Sequence, residues 1–236
     1  MIDDSLRVLS CNLRSGGARV AALIDSIERL SIDVVCAQEL SVRLADAIAE
    51  VLPHGNMSHE HIHRGNGIAS RNHVAASPIT MPKRNGWVAR LSPRHWPGLP
   101  SAVEIVNVHI SGPHLWPYFP RRLRRRAQLD ALLAERARKA DVPHAVFGDF
   151  NASPIWPAYR RMAAAYADGV VESGESGRAI TGTWPCIPAL GISGLIRIDH
   201  CFLWRLSAIS ARTVELPGSD HLGLLVDLDI STMVAR

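Results

Sequence analysis

Apolar residues recur along this chain with two different periods. Short apolar runs, Leu6-Arg7-Val8-Leu9-Ser10-Cys11, Asp33-Val34-Val35-Cys36-Ala37, residues 101–108 and Ala145-Val146-Phe147, read as buried strands. Between them the spacing turns helical. Residues 16–17, both glycine, open a segment in which Val20, Leu23, Ile24, Ile27 and Leu30 share one face. Leu44, Ile48 and Val51 do the same over residues 42–52, and Leu129, Leu132 and Leu133 mark a helix that must end before Pro143. Residues 54–91 predict short strands broken by Gly, Asn and Pro, with residues 67–71 as an inner one. A short helix is expected over 156–165. Residues 169–194 lack a clear period and read mostly as loop. Strands follow at 196–203 and at 222–228, the second entered through the turn Pro217-Gly218-Ser219-Asp220-His221. Neither a repeat nor a linker interrupts the pattern, so one domain over residues 1–236 is expected.

Polar residues punctuate the ends of these apolar runs. Asn12 follows the first, Gln38-Glu39 the second and His109 the third; Gly148-Asp149-Phe150-Asn151 closes the fourth. Asp199 lies in the run after Ile196, and Asp220-His221 precedes the last strand. Ends of strands in α/β layers are where sites are built. If strand alternation persists, Asp149 and Asn151 point to the same side. Each residue alone has a plain reading as a cap, a turn or a satisfied core polar group. Together they are more economically read as one shared site.

Cys11-Asn12-Leu13-Arg14, Gln38-Glu39, Val108-His109, Gly148-Asp149-Phe150-Asn151, Ile198-Asp199-His200 and Ser219-Asp220-His221 span most of the chain. Their order resembles that of the endonuclease/exonuclease/phosphatase superfamily, the deoxyribonuclease I-like fold. The resemblance implies a four-layered α/β sandwich, two mostly antiparallel sheets packed face to face with helices outside. It also implies a hydrolase of phosphoester bonds that uses Mg²⁺, or Mn²⁺. Glu39 would hold the ion, with Asn12 and Asp220 beside it. Asp149 would orient or deprotonate water, Asn151 would donate to the phosphorus centre, Asp199 would hold His221, and His109 would be a second phosphate donor. Several relatives, notably abasic-site endonucleases, carry aspartate where this chain has Arg14. Arginine cannot bind a metal but can clasp phosphate, which favours a site built around Glu39 over a two-metal one. Thr183-Trp184 resembles a family segment near the substrate pocket, and a packed core tryptophan is the alternative. Asp168 matches a weaker family carboxylate or is an exposed loop acid.

Composition bears on the substrate. The chain of 236 residues carries a formal charge of +4 and a pI near 9.2, mildly basic and favourable to a polyanion. Residues 121–126 hold five arginines beside Trp116, Tyr118 and Phe119. Arg121, Arg122 and Arg125, with Arg14 and Trp184, are therefore the candidate substrate contacts, and nucleic acid, DNA favoured, the expected partner of an endonuclease. A small-molecule or lipid phosphoester is the alternative, and a non-catalytic nucleic-acid-binding protein a further one. His59, His61 and His63 would share a face in a strand, expected as a solvated edge rather than a metal strip. Cys11, Cys36, Cys186 and Cys201 are scattered without a CxxC pair and read as core thiols. With no apolar span and no basic-apolar leader at Met1-Ile2-Asp3-Asp4, a cytoplasmic monomer away from membranes is expected.

Overall fold

Alternation within each strand decides the layering of the protein. The computed structural model describes residues 5–58, 65–113, 118–174 and 182–231, with backbone alone at 58, 84–85 and 118–121. In chain order the elements are β1 (Ser5–Asn12), α1 (Val20–Arg29), β2 (Val34–Leu40), α2 (Val42–Val51), β3 (His54–Ser58), β4 (Gly65–Ser70), β5 (Ala75–Met81) and β6 (Arg84–Leu91). There follow β7 (Val103–His109), α3 (Tyr118–Arg138), β8 (His144–Asp149), α4 (Pro157–Ala163), β9 (Ala167–Asp168), α5 (Gly169–Glu172) and β10 (Trp184–Ile187). The chain closes with β11 (Ile192–Ile196), β12 (Asp199–Trp204), β13 (Ser207–Val214) and β14 (Gly223–Asp229).

Two six-stranded sheets result, ordered β13-β14-β1-β2-β4-β3 and β5-β6-β7-β8-β12-β9, with β10 and β11 forming a separate ribbon. Among the described residues only β1/β2 and β7/β8 pair in parallel; the other pairs are antiparallel. Val8, Val34, Cys36 and Ile68 of the first sheet meet Ile105, Phe147 and Cys201 of the second in a shared core. Their neighbours in sequence face outward. Leu9, Val35 and Ala37 pack on Leu23, Ile27, Leu44 and Ile48 of α1 and α2. Val106, Val146 and Phe202 pack on Leu129, Leu132 and Met162 of α3 and α4. Period-two strands buried on both faces thus give helix, sheet, sheet, helix, the expected four layers. Truncating fully buried Phe147 at the inter-sheet seam is of the kind that costs about 3–5 kcal/mol.

The two parallel pairs create a common rim. Parallel neighbours end at the same side, so the C-terminal ends of β1, β2, β7 and β8 are brought together there. Antiparallel β12 starts at this rim, with Asp199 opposite Asp149 in register. Antiparallel β14 brings the preceding turn to the same place, where Ser219 Oγ donates to the Asn12 carbonyl at 2.7 Å.

Some expectations are corrected. Residues 169–194 are not mostly loop among the described residues: they hold α5, β10, one 3₁₀ turn at Pro188–Leu190 and part of β11. The run from Ile196 is not one strand, because β11 ends at Ile196 and Asp199 opens β12. Strand β13, an edge strand with weak alternation, has no counterpart in the reading of the sequence. Asp168 is not an exposed loop acid; it is buried, caps α5 by accepting the Val170 N–H, and pairs with Arg197. Cys11, Cys36 and Cys201 are buried as expected, and burial, with Asp199 nearby, pushes the Cys11 thiol up to about 12. The histidines at 59, 61 and 63 and the aromatic residue Trp116 lie outside the described residues. No described helix is long and apolar enough to cross a membrane.

Candidate active site

The rim is assembled by backbone geometry before any side chain acts. Gly148 sits at φ +143, and a Cβ there would stand 1.8 Å from the Val108 carbonyl oxygen. Only glycine lets β8 approach β7 this closely, and the approach sets His109 opposite Asp149. Glu39 occupies a bulge of β2 with φ 53, and Asn151 turns at φ 49. Asn tolerates the left-handed region, whereas for Glu it is uncommon and costs energy. The Gly16 N–H donates to the Glu39 carbonyl at 3.0 Å and helps hold that turn.

Asp149 is the hub. Its Oδ2 accepts from the Asn12 amide at 3.1 Å and the Asn151 amide at 3.0 Å, and lies 3.4 Å from His109 Nε2. Its Oδ1 accepts the Asn151 backbone N–H at 2.7 Å. Asp149 and Asn151 do share a side, but through the turn at Asn151 rather than through a continuing strand. The other hydrogen of the Asn151 amide goes to the Ile110 carbonyl at 3.0 Å, so both are committed to protein acceptors. Glu39 stands on the neighbouring flank. Its Oε1 accepts from the Asn12 amide at 3.3 Å and lies 3.9 Å from His109 Nε2; its Oε2 accepts from Ser15 Oγ at 3.0 Å. On the opposite flank, His221 Nδ1 pairs with Asp199 Oδ2 at 2.9 Å. Ligand-type atoms of Asp149, Asp199 and His221 all lie within 4.8 Å of one another.

These contacts set the electrostatics. Burial, and then the Asp199 charge, push the Asp149 carboxyl up to about 7, against the pull of His221 and of the Asn151 and Asn12 donors. Burial alone would lower His221; the charge and hydrogen bond of Asp199, with Asp149 and Asp220, outweigh it and raise the imidazole to about 9. The site therefore combines a buried carboxyl that can exchange a proton near neutrality with a buried imidazolium that donates. The Glu39 and Asp149 carboxylates supply the oxygen ligands a hard divalent cation takes, while the Asn12 amide faces both with its N–H₂ and turns its Oδ1 to the Arg14 N–H at 3.0 Å. His221 is tied up through Nδ1 in its pair with Asp199, so the Asp149/Asp199/His221 group fits an acid–base relay better than a metal cage.

The structure gathers Asn12, Glu39, His109, Asp149, Asn151, Asp199 and His221 into one connected network. Asp220, Arg14 and Trp184 lie at its edge: Trp184 Nε1 donates to Asp220 Oδ2 at 3.3 Å, and Arg14 Nε is 4.0 Å from Asp220 Oδ1. Among the described residues no hydrogen bond joins Asp220 to Glu39. Arg122 lies outside the network on α3, and the Arg121 side chain is outside the described residues. Arg125 points inward, giving Nη1 to the carbonyls of Ser111 at 3.1 Å and Asn151 at 2.9 Å, with Nη2 3.5 Å from that of Phe150.

Several supporting residues carry no signal in a strand-end reading. Thr183 Oγ1 accepts the N–H groups of both Ile198 and Asp199 at 3.1 Å, which fixes where Asp199 starts its strand. Ser219 Oγ accepts the His221 N–H at 3.0 Å while holding the end of β1. Beneath the site Gln38 Nε2 donates to Asn107 Oδ1 at 2.7 Å, and Asn107 Nδ2 to the Ala37 carbonyl at 2.9 Å, a buried polar pin between the sheets.

Comparison with known proteins bears on the fold and the family. No curated protein sequence matches the chain. Among solved structures, an endonuclease/exonuclease/phosphatase from Beutenbergia cavernae DSM 12333 is 20% identical, covering 95% of this chain and 71% of its own at a TM-score of 0.69. The humanized D. rerio TDP2 carrying 14 mutations is 18% identical over 96% and 99% at 0.73. A mannosyl-6-phosphatase of Bacteroides thetaiotaomicron VPI-5482 is 15% identical over 95% and 99% at 0.67. At such identities these likenesses establish the fold alone. The sequence profile of the Endonuclease/Exonuclease/phosphatase family, whose members hydrolyse phosphoesters, matches residues 9–221, and the chain belongs to that family.

Proposed function

We propose that this protein is a divalent-metal-dependent phosphodiesterase acting on nucleic acid, DNA favoured, as an endonuclease. The observation that carries the chemistry is the hub at Asp149, where the Asp199–His221 pair and the Glu39 carboxylate, bridged by the Asn12 amide, meet one buried carboxyl. Both sheets contribute to that hub, which supports reading residues 1–236 as one domain.

Glu39 would hold Mg²⁺, or Mn²⁺, with Asn12 beside it and Asp220 from the rim; bound there, the ion would supply Lewis-acid polarisation of a phosphoryl oxygen. Asp149 takes the proton of the attacking water, a task suited to a carboxyl raised toward neutrality. The Asn12 and Asn151 donors hold its Oδ2 in position, so Asn151 serves Asp149 before it serves phosphate. His221, kept protonated by Asp199, donates to a non-bridging oxygen of the phosphate. His109, whose Nε2 lies 3.4 Å from Asp149 Oδ2, would be the second phosphate donor and the acid for the leaving oxygen. Arg14, more than half exposed at the rim, is free to clasp an incoming phosphate.

The basic balance of the chain and the arginine-rich start of α3 support a polynucleotide over a small ester. The test is a substrate panel: supercoiled plasmid, single-stranded oligonucleotide, bis-p-nitrophenyl phosphate and a sugar phosphomonoester, each with Mg²⁺, Mn²⁺ and EDTA. Nicking of plasmid that needs the metal is the expected result. Turnover of the monoester with untouched nucleic acid would replace this reading with a small-molecule phosphatase.

A further inference from the structure

Beyond the loop that carries Asn151, an open groove of about 800 Å³ runs between the first half of α3 and α4, inside the roughly 300–1,000 Å³ range of ligand pockets. Arg122, Arg126 and Arg161 line it together with Trp156, Leu123 and Pro113, and among the described residues no carboxylate belongs to the lining. Arg161 is paired with Asp130. Among the described residues Arg122 and Arg126 have no ion-pair or hydrogen-bond partner. They are four residues apart on α3 and so share a face. Leu123 beside them is 55% exposed, large for an apolar side chain that only fills a surface.

The groove adjoins the candidate active site through Arg125 and the loop after Asn151. Arg125 lines it and at the same time donates to the Asn151 carbonyl at 2.9 Å, and Trp156 lies five residues beyond Asn151 on the same loop. A substrate longer than one phosphodiester linkage would pass from one into the other. Guanidinium forks match phosphate oxygens, and an indole with a flanking aliphatic side chain offers a stacking surface for a base. A membrane surface would need a convex, apolar-tipped face, and this face is concave.

We infer that the groove between α3 and α4 seats the strand flanking the scissile phosphate: single-stranded nucleic acid, its phosphates on Arg122 and Arg126 and a base against Trp156. The polymer is chosen on the proposed phosphodiesterase activity, but binding can be tested without turnover. Fluorescence anisotropy of a labelled oligothymidylate of about eight nucleotides, within the usual size of a single-strand site, is followed in EDTA over a salt series. Wild-type protein is compared with R122E/R126E, both on an exposed helix face, and with Trp156→Leu. The double variant is expected to weaken binding at least about tenfold and to reduce the slope of log K against log salt by about 1.4, two phosphates at roughly 0.7 each. Trp156→Leu is expected to weaken binding about tenfold while keeping the wild-type slope, the signature of lost stacking. An oligouridylate arm reads DNA against RNA in the same groove.

Affinity and slope equal to wild type in R122E/R126E would overturn the inference. So would arginine-dependent binding to phosphatidylserine vesicles with oligonucleotide affinity unaltered. Arginine-dependent binding without hydrolysis under any metal supports the groove and refutes the phosphodiesterase; hydrolysis with arginine-independent binding does the opposite.

Discussion

Arg125 was legible in the sequence as a candidate substrate contact, yet the structure turns it inward, and the two roles predict different kinetics. The guanidinium is buried and gives hydrogen bonds of 2.9 and 3.1 Å to the carbonyls of Asn151 and Ser111, with a third, 3.5 Å contact too long to count for much. Each bond from a charged donor is worth about 1.5–3 kcal/mol, so Arg125→Met removes roughly 3–6 kcal/mol gross. Part is returned, because burial disfavours the charged guanidinium and lowers its pKa, with the Asp149 charge opposing that only in part. A net loss of about 2–4 kcal/mol in unfolding free energy is expected from urea denaturation. The freed Asn151 carbonyl also loosens the turn whose N–H and amide hold Asp149. A misplacement of about 1 Å at a reacting group costs on the order of a hundredfold in rate. Turnover of bis-p-nitrophenyl phosphate should therefore show kcat falling with KM nearly constant, and Arg125→Lys recovering only part of the loss. A rise in KM at constant kcat, with stability within about 0.5 kcal/mol of wild type, would refute the positioning role and restore a direct substrate contact.

Three further outcomes rest on named contacts. Gly148→Ala should destabilise by more than about 3 kcal/mol or fail to fold, since its Cβ meets the Val108 carbonyl at 1.8 Å in a backbone conformation that L side chains rarely adopt; a normal denaturation midpoint would contradict this. Thr183→Val leaves the N–H groups of Ile198 and Asp199 without their acceptor and should cost about 1–3 kcal/mol together with kcat, both recovered by Thr183→Ser. His200 is buried, its Nε2 donates to the Ala152 carbonyl at 2.7 Å, and its pKa is lowered from 6.5 to about 4 by burial and by Arg197. Because the unfolded chain takes up its proton first, stability should fall by about 3 kcal/mol between pH 6.5 and 4, and His200→Phe should flatten that slope in pH-dependent melts.

Much of the fold lies in the apolar pattern because its central strands are buried on both faces. Val34-Val35-Cys36-Ala37 can serve only as such a strand, and its two faces enter two different cores. Where burial is one-sided or the strand is at an edge, the signal fades, as in β13 with its broken alternation and in the short β10–β11 ribbon. Site residues were legible where they end a buried run, as Asn12, Glu39, His109 and Asp149 do. Of the residues that orient them, Thr183 and Ser219 were marked only by family-like segments and Ser15 not at all, because their positioning roles act through tertiary contacts. Asp168 illustrates the opposite error: a carboxylate at a loop looks exposed until Arg197, distant in sequence, and Tyr159 of α4 are seen to enclose it. The left-handed turns at Glu39 and Asn151 likewise had no sequence mark beyond the adjoining polar residues.

The most direct measurement is the Mg²⁺ activation curve of phosphodiester hydrolysis for wild type, Glu39→Gln and Asp149→Asn, ending in excess EDTA. Wild type should be silent in EDTA and saturate with Mg²⁺. Glu39→Gln should need far more Mg²⁺ and turn over at least about a hundredfold more slowly, and Asp149→Asn should stay inactive at every concentration. Equal hydrolysis by wild type in EDTA, or an undiminished Asp149→Asn, would contradict the account at its centre.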